Sequence, residues 1–126
     1  MKKSQQDLLA ITEVLENHYF KGIYEGNVNI LGKIFVAGTF LFGDVKGKPY
    51  AKTLDQYLEG IRHRQRPKNS GKTFKGTIIS IDVVNTIAVA KVHVQISDFS
   101  YDEFLSFHKI NSRWLIVNKM IAELAT

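Results

Sequence analysis

The stretch that decides the fold is Tyr101-Asp-Glu-Phe-Leu-Ser-Phe-His-Lys-Ile-Asn-Ser-Arg-Trp-Leu-Ile-Val-Asn-Lys-Met-Ile-Ala122. Aromatic and β-branched residues fill both halves, and Asn111-Ser112 lies between them as a two-residue turn. Asn readily adopts the positive φ that a tight turn requires, whereas Ser is a weaker second residue than Gly. The stretch therefore predicts a long β-hairpin in which Ile110 pairs with Arg113.

This register assigns each side chain of the hairpin to one of two faces. One face would carry Phe104, Ser106, His108, Leu115 and Val117, with Ser106 opposite Val117. The other would carry Leu105, Phe107, Trp114, Ile116 and Asn118. Both faces are largely apolar, so we expect the sheet to be covered on both sides. His108 and Asn118 would then point to opposite faces.

A second hairpin is predicted directly before the first. Apolar residues alternate from Phe74, Asn85-Thr86 is a turn signal, and residues 87–96 form the returning strand. Pairing Val84 with Ile87 gives a core face of Thr77, Ile79, Ile81, Val83, Ala88, Ala90, Val92, Val94 and Ile96. The opposite, mixed face carries Ser80, Asp82, Val89, Lys91, His93 and Gln95.

The N-terminal half has the spacing of helices. Over residues 5–25 an apolar stripe recurs every three or four residues, and Gly26 is a suitable stop. Asn27 caps a second helix that includes Phe35. Residues 40–45 and 50–52 predict a short hairpin, and Thr53-Leu-Asp-Gln56 is a capping box that starts a third helix. The stripe of the first helix is Leu8, Ile11, Leu15, Tyr19 and Ile23.

The order of elements predicts an α+β fold in one domain, residues 1–126. Helices would pack on one face of a strongly curved antiparallel sheet. Helices cannot fill such a sheet completely, so we expect a cavity between the two layers.

Composition narrows the function classes. The chain has 126 residues, 44% of them hydrophobic, and no cysteine, which excludes disulfides and thiolate chemistry. The sequence lacks the apolar core of a signal peptide and an apolar run of membrane-spanning length. We therefore expect a cytoplasmic protein without a membrane partner.

The net charge of +5 is concentrated in residues 62–75, which hold six Lys or Arg and no acid. Pro67 and Gly71 argue against regular structure there. Nucleic-acid binding would interleave aromatic residues for stacking, and only Phe74 qualifies, so no nucleic-acid partner is expected. A solvated loop near the cavity mouth is the preferred interpretation, and its charge could draw an acidic small molecule towards the cavity.

Several stretches resemble the nuclear-transport-factor-2-like (NTF2-like) superfamily, and within it the SnoaL-like and "putative lumazine-binding" groups of small bacterial proteins. The hairpin from Phe104 to Lys119 carries most of the resemblance, although Ser112 replaces the usual Gly. The other matching stretches are Tyr19-Phe-Lys-Gly-Ile-Tyr-Glu-Gly26, Phe40-Leu-Phe-Gly43, Ser80-Ile-Asp-Val-Val84 and Ala88-Val-Ala-Lys-Val92.

The resemblance implies a cone-shaped, cystatin-like α+β fold and a homodimer formed through the outer face of the sheet. It implies a small, mainly apolar ligand in the cavity, but it fixes no chemistry, because isomerases, cyclases, dehydratases and non-catalytic assembly domains share this fold. A SnoaL-like isomerase, cyclase or dehydratase and a non-catalytic interaction module therefore both stay open.

His93 and His108 are the candidate catalytic residues. Both fall in the middle of a strand among apolar neighbours, where a neutral imidazole could carry a proton. A structural histidine, or one at a dimer interface, fits the same pattern. Both histidines lie on one face of the sheet if the numbers of two paired residues near Asp98 add up to an odd number, as they do for Ser97 opposite Ser100.

The candidate ligand-binding residues are aromatic side chains and one amide, since pockets are mostly apolar with a few polar groups. For the aromatic residues a plain core role is the alternative, and for Asn118 the alternative is an amide that satisfies a backbone group. The carboxylates of the strands, Asp82, Asp102 and Glu103, are expected to be solvated. We expect no metal site and no cofactor, because the histidines lack ligand spacing and no Gly-rich phosphate loop is present. The candidates are Tyr19, Tyr24, Phe42, Tyr57, Phe107, Trp114 and Asn118.

Overall fold

The computed structural model describes residues 2–125 and has the expected α+β architecture, with helices packed on a six-stranded curved sheet. The helical elements are α1 (Lys3–Val14), a π-helical segment (Leu15–Phe20), α2 (Lys21–Glu25), α3 (Val28–Lys33), α4 (Leu54–His63) and α5 (Pro67–Ser70). The strands are β1 (Phe35–Val45), β2 (Lys48–Thr53), β3 (Phe74–Val84), β4 (Ile87–Ile96), β5 (Phe99–Ile110) and β6 (Arg113–Glu123).

The strand order is β2-β1-β6-β5-β4-β3. Strands β3 to β6 form a continuous antiparallel meander, and both predicted turn pairings, Val84 with Ile87 and Ile110 with Arg113, are confirmed. β1 pairs with β6 in parallel and with β2 antiparallel. The short N-terminal hairpin therefore extends the sheet on the β6 side.

The predicted helix signals are confirmed. Gly26 ends the first helical run in the left-handed conformation, with φ of 64°. The Asn27 side chain accepts hydrogen bonds from the Asn29 and Ile30 amides, both at 3.1 Å. Thr53 and Gln56 form the capping box of α4, with bonds of 3.0 and 3.1 Å.

Three predictions about the local structure were wrong. Phe35 belongs to β1 and not to the second helix, because α3 ends at Lys33 and the chain at once pairs with β6. Leu8 lies outside the buried stripe of the first helix and is exposed. The basic stretch contains α5, since Pro67 at the first helical position has its φ set for a helix and needs no hydrogen bond from its nitrogen.

A β-bulge at Val117 corrects the register of the C-terminal hairpin. Ser106 pairs with Asn118 and not with Val117, which is an extra residue on β6. One extra residue reverses the alternation of all that follow. Lys119 therefore faces the helices, and Asn118 faces outward. The prediction that His108 and Asn118 lie on opposite faces was wrong.

A second bulge lies at Ile79 in β3. Ile78 pairs with Val92 and Ser80 with Lys91, which leaves Ile79 without a partner. Thr77 and Ile79 were predicted in the core, and both are exposed for this reason. Ile78 packs against the core instead.

The core lies between the helices and the inner face of the sheet. The residues that contribute most from the sheet alternate along β4 and β5, as predicted for Ala88, Ala90, Val92 and Val94. The helical run covers this face with Ile11, Leu15, Tyr19 and Ile23. Within residues 2–125 no helix is both long and apolar enough to cross a bilayer.

Candidate ligand-binding cavity

A cavity of about 300 Å³ opens between α4, β2 and the inner face of β4, β5 and β6. Its apolar walls come from Ile23, Val45, Ile61, Val94, Ile96 and Ile121. Its polar lining comes from three tyrosines, Tyr50, Tyr57 and Tyr101, and four charged residues, Lys52, Arg64, Glu103 and Lys119. An apolar chamber with a few converging polar groups is the usual form of a small-molecule site.

An ion pair between Glu103 and Lys119 forms the polar end of the cavity. Lys119 Nζ lies 3.7 Å from Glu103 Oε2, and each side chain is 3% exposed. The carboxylate reaches the inner face because the buried residues of β5 are the odd-numbered ones. The ammonium reaches it because of the bulge at Val117. Glu103 thus contradicts the prediction that the strand carboxylates are solvated.

Tyrosine hydroxyls complete a buried network around this pair. Tyr19, in the π-helical segment, donates its hydroxyl hydrogen to Glu103 Oε1. Lys119 donates to Tyr57 Oη at 3.2 Å. Its ammonium also lies over two rings, 4.4 Å from the centroid of Tyr57 and 5.3 Å from that of Tyr19. Each formal charge in the network is therefore compensated by its neighbours.

The pKa shifts of Tyr19 and Lys119 keep these two residues protonated. Burial, the Glu103 charge and the neighbouring tyrosines raise the pKa of Tyr19 well above its ordinary value. Burial disfavours the Lys119 ammonium, but Glu103, together with Tyr57 and Tyr50, outweighs it, so the pKa of Lys119 is raised. Tyr19 thus stays a hydrogen-bond donor, and Lys119 stays a cation rather than an amine nucleophile at neutral pH.

Tyr57 is the member of the network that offers a free proton to the cavity. Its oxygen accepts from Lys119, and residues 2–125 place no acceptor within hydrogen-bond distance of its own hydrogen. The adjacent cation makes the phenol a better donor. Glu103, by contrast, accepts from Tyr19 with Oε1 and lies 3.7 Å from the Lys119 ammonium with Oε2, so its negative charge is already compensated within the network.

Of the six aromatic residues predicted to bind a ligand, two belong to this network and four lie elsewhere. Tyr57 lines the cavity, and Tyr19 lies directly behind it. Phe107 and Trp114 are buried in the core, and Tyr24 packs against Phe74 at a centroid distance of 5.5 Å. Phe42 is exposed on the outer face of the sheet.

His93, His108 and Asn118 share that outer face. Ile96 pairs with Phe99, so the residue numbers of the paired residues add up to an odd number. Both histidines therefore lie on the same face, which is one of the two arrangements expected from the sequence. His93 Nδ1 lies 2.8 Å from Asp102 Oδ1, and Asn118 donates to the Phe40 carbonyl at 3.1 Å. None of the three lines the cavity. A catalytic role for either histidine stays a prediction, and it would be exercised on the outer face.

The outer face also carries an apolar patch of four residues, Phe40, Phe42, Phe104 and Met120. Phe42 pairs with Met120, and Met120 pairs with Phe104, so three of them form one row across β1, β6 and β5. Phe40 stacks on Phe42 at 5.9 Å. Each of the four is between 44% and 50% exposed.

Sequence reasoning missed Glu103, Lys119, Lys52 and Arg64. A signal was present for Glu103, since it alternates with Leu105 and Phe107 in the most apolar strand. Lys119 has no comparable signal, because its orientation depends on a bulge that the residue pattern does not mark.

The fold and the cavity define an NTF2-like protein. Residues 6–121 match the family model described as "Putative lumazine-binding", and the chain belongs to this family. A comparison with curated proteins gave no match.

Three similar solved structures are NTF2-like proteins of unknown function. The one from Shewanella baltica is 26% identical with a TM-score of 0.86, and the alignment covers 100% of both chains. The one from Methylobacillus flagellatus is 26% identical with a TM-score of 0.84, over 95% of this chain and 94% of the other. The one from Silicibacter pomeroyi is 20% identical with a TM-score of 0.86, over 98% and 100%, and supports the fold alone.

Proposed function

We propose that this protein binds a small molecule in the cavity, with an apolar body against the aliphatic walls and a hydrogen-bond acceptor at Tyr57. The free hydroxyl proton of Tyr57, held in place by Lys119, carries this proposal. A hydroxyl donor in the wall of a cavity, with no protein acceptor for its hydrogen, favours a ligand that supplies an acceptor.

Binding is favoured over isomerase, cyclase or dehydratase chemistry because Glu103, the carboxylate that lines the cavity, is already compensated by Tyr19 and Lys119. Tyr57 could donate a proton to a developing oxyanion, as the acid of such a reaction. A base is needed as well, but Glu103 is hydrogen-bonded to Tyr19 and ion-paired with Lys119, and the two candidate histidines lie on the outer face. If this protein catalysed such a reaction, the substrate itself would have to supply the base.

Gly60 provides a direct test of cavity binding. It lines the cavity from α4, and a Cβ at this position would meet nothing within 4 Å. Gly60→Phe should fill the cavity without disturbing the fold, and Gly60→Ala is the matched control, since both remove a helix-destabilising glycine. Ligand-observed NMR with a panel of small apolar carbonyl compounds should find binders for the natural protein and Gly60→Ala. Equal binding to Gly60→Phe, or no binder at all, would contradict the proposal.

A second function, homodimerisation, is favoured by the four-residue apolar patch. A second copy of this chain is the occupant that the family resemblance implies for the outer face. The adjoining groove of about 480 Å³, which includes Phe42, Phe104 and Met120, is mostly apolar. Sedimentation analysis should show a dimer that Phe104→Lys converts to a folded monomer, while Leu9→Lys, on the exposed side of α1 and away from the outer face of the sheet, leaves it dimeric. A monomeric natural protein would end this proposal.

A further inference from the structure

The charged residues at the rim of the cavity define the ligand more closely. Among the four charged lining residues, Glu103 and Lys119 neutralise each other. Lys52 and Arg64 remain, and both are exposed. The cavity therefore has an apolar body, a neutral polar end and a cationic rim.

Neither rim cation has a carboxylate partner. No Asp or Glu of residues 2–125 lies within 4.0 Å of the Lys52 or Arg64 charged atoms, while two other cations of the basic stretch are paired. Arg62 lies 3.5 Å from Glu59, and Lys68 lies 3.9 Å from Glu25. Arg66, Lys72 and Lys75 have no such ion pair either, but among the cations of the basic stretch only Arg64 lines the cavity.

From these observations we infer that the ligand is a small monocarboxylic acid whose carboxylate is held at the rim by Arg64 and Lys52. This inference rests on the proposed function. The guanidinium of Arg64 can hold a carboxylate through two parallel hydrogen bonds. Tyr50 lies among the lining residues and can donate a further hydrogen bond to the anion.

The size of the cavity and the charge of its rim argue against other classes of ligand. A volume of about 300 Å³ lies at the lower end of the range of small-molecule pockets, which favours a small ligand over a dinucleotide. An organic cation would meet two like charges at the entrance. A fully neutral molecule would leave both rim cations without a partner, although it could still bind the apolar walls.

The ligand would be held in the cavity at both of its ends. The carboxylate stays at the rim, where its hydration is only partly removed, and the apolar chain extends towards Ile23, Ile61 and Val94. An oxygen on the far end of the chain would meet the Tyr57 hydroxyl. An oxo acid whose carbonyl group lies at the far end of the chain from the carboxylate would make both contacts.

The test compares isosteric acids and amides. Octanoate against octanamide, and 3-phenylpropanoate against 3-phenylpropanamide, differ in charge with the same number of heavy atoms. We expect each acid to bind about tenfold or more tightly than its amide at neutral pH, by calorimetry or NMR titration. Arg64→Gln should remove most of that preference, and Lys52→Gln a smaller part. Arg62→Gln is the matched control, because Arg62 is paired with Glu59 and lies outside the cavity.

The outcomes separate the two proposals. Equal binding of acids and amides, blocked by Gly60→Phe, overturns the acid inference and leaves cavity binding in place. A preference for acids that Arg62→Gln weakens as much as Arg64→Gln also overturns it, since general charge attraction would then be the cause. No binding of either class up to millimolar concentration overturns both proposals.

Discussion

Glu103 and Lys119 form an ion pair across β5 and β6 with both side chains almost wholly buried, at a distance of 3.7 Å. Such a pair contributes little net stability compared with apolar residues, but it is costly to break on one side only. Lys119→Met should therefore lower the free energy of unfolding by about 3–5 kcal/mol, as measured by urea denaturation.

The matched control is the double variant Lys119→Met with Glu103→Leu, which removes both charges together. It should recover most of the lost stability, because no uncompensated charge is left in the core. A double variant as unstable as Lys119→Met would show that the pair stabilises the fold by its own attraction.

The two tyrosines of the network should differ in their effect on stability. Tyr19 is wholly buried, so Tyr19→Phe leaves a Glu103 oxygen without its donor and should cost about 1–3 kcal/mol. Tyr57 lines the cavity, where water can replace its hydroxyl, so Tyr57→Phe should cost less. Urea denaturation of both variants checks the order, and a greater loss for Tyr57→Phe would contradict it.

The predictable part of the fold is the part that local chemistry determines. The cap at Asn27, the stop at Gly26, the capping box at Thr53 and both hairpin turns were predicted from single residues whose backbone preferences are strong. Asn111 and Ser112 both have positive φ, of 51° and 65°, so the pairing at the turn is as expected even with the weaker Ser.

The unpredicted part depends on register far from the turns. A bulge needs only one residue without a partner, and neither Ile79 nor Val117 differs in type from its neighbours in the strands. The bulge at Val117 moved Asn118 out of the predicted cavity and brought Lys119 into it. The candidate site was therefore predicted only for Tyr19 and Tyr57, which lie on helices whose inner face is set by the 3.6-residue period.

Deleting Val117 would test the role of its bulge. Without the extra residue Asn118 follows Ile116 directly, so regular alternation would keep Asn118 outward and Lys119 inward beside Glu103. The deletion should therefore be tolerated, with a cooperative urea transition and a loss of no more than about 2 kcal/mol. Val117→Ala keeps the bulge and is the control, whereas a deletion that costs more than about 4 kcal/mol would show that the bulge itself is needed to hold β6 in the sheet.

Acid titration of the single tryptophan provides the last prediction. Asp7 Oδ1 accepts hydrogen bonds from Lys109 Nζ at 3.0 Å and from Trp114 Nε1 at 3.2 Å. The Lys109 bond, opposed by burial and assisted by the Trp114 bond, lowers the pKa of Asp7 below its ordinary value of 3.8. Because the folded pKa is depressed, the stability that Asp7 contributes is present above pH 3.8 and is lost as the pH falls through the folded pKa.

Trp114 emission should therefore change with a midpoint below pH 3.8, as Asp7 gains its proton and the indole hydrogen bond weakens. Asp7→Asn should abolish this transition and lower the melting temperature at neutral pH. Glu13→Gln is the control, since Glu13 lies on the exposed side of the same helix and contacts neither Lys109 nor Trp114. A midpoint above pH 3.8, or a transition that persists in Asp7→Asn, would show that another group controls the fluorescence of Trp114.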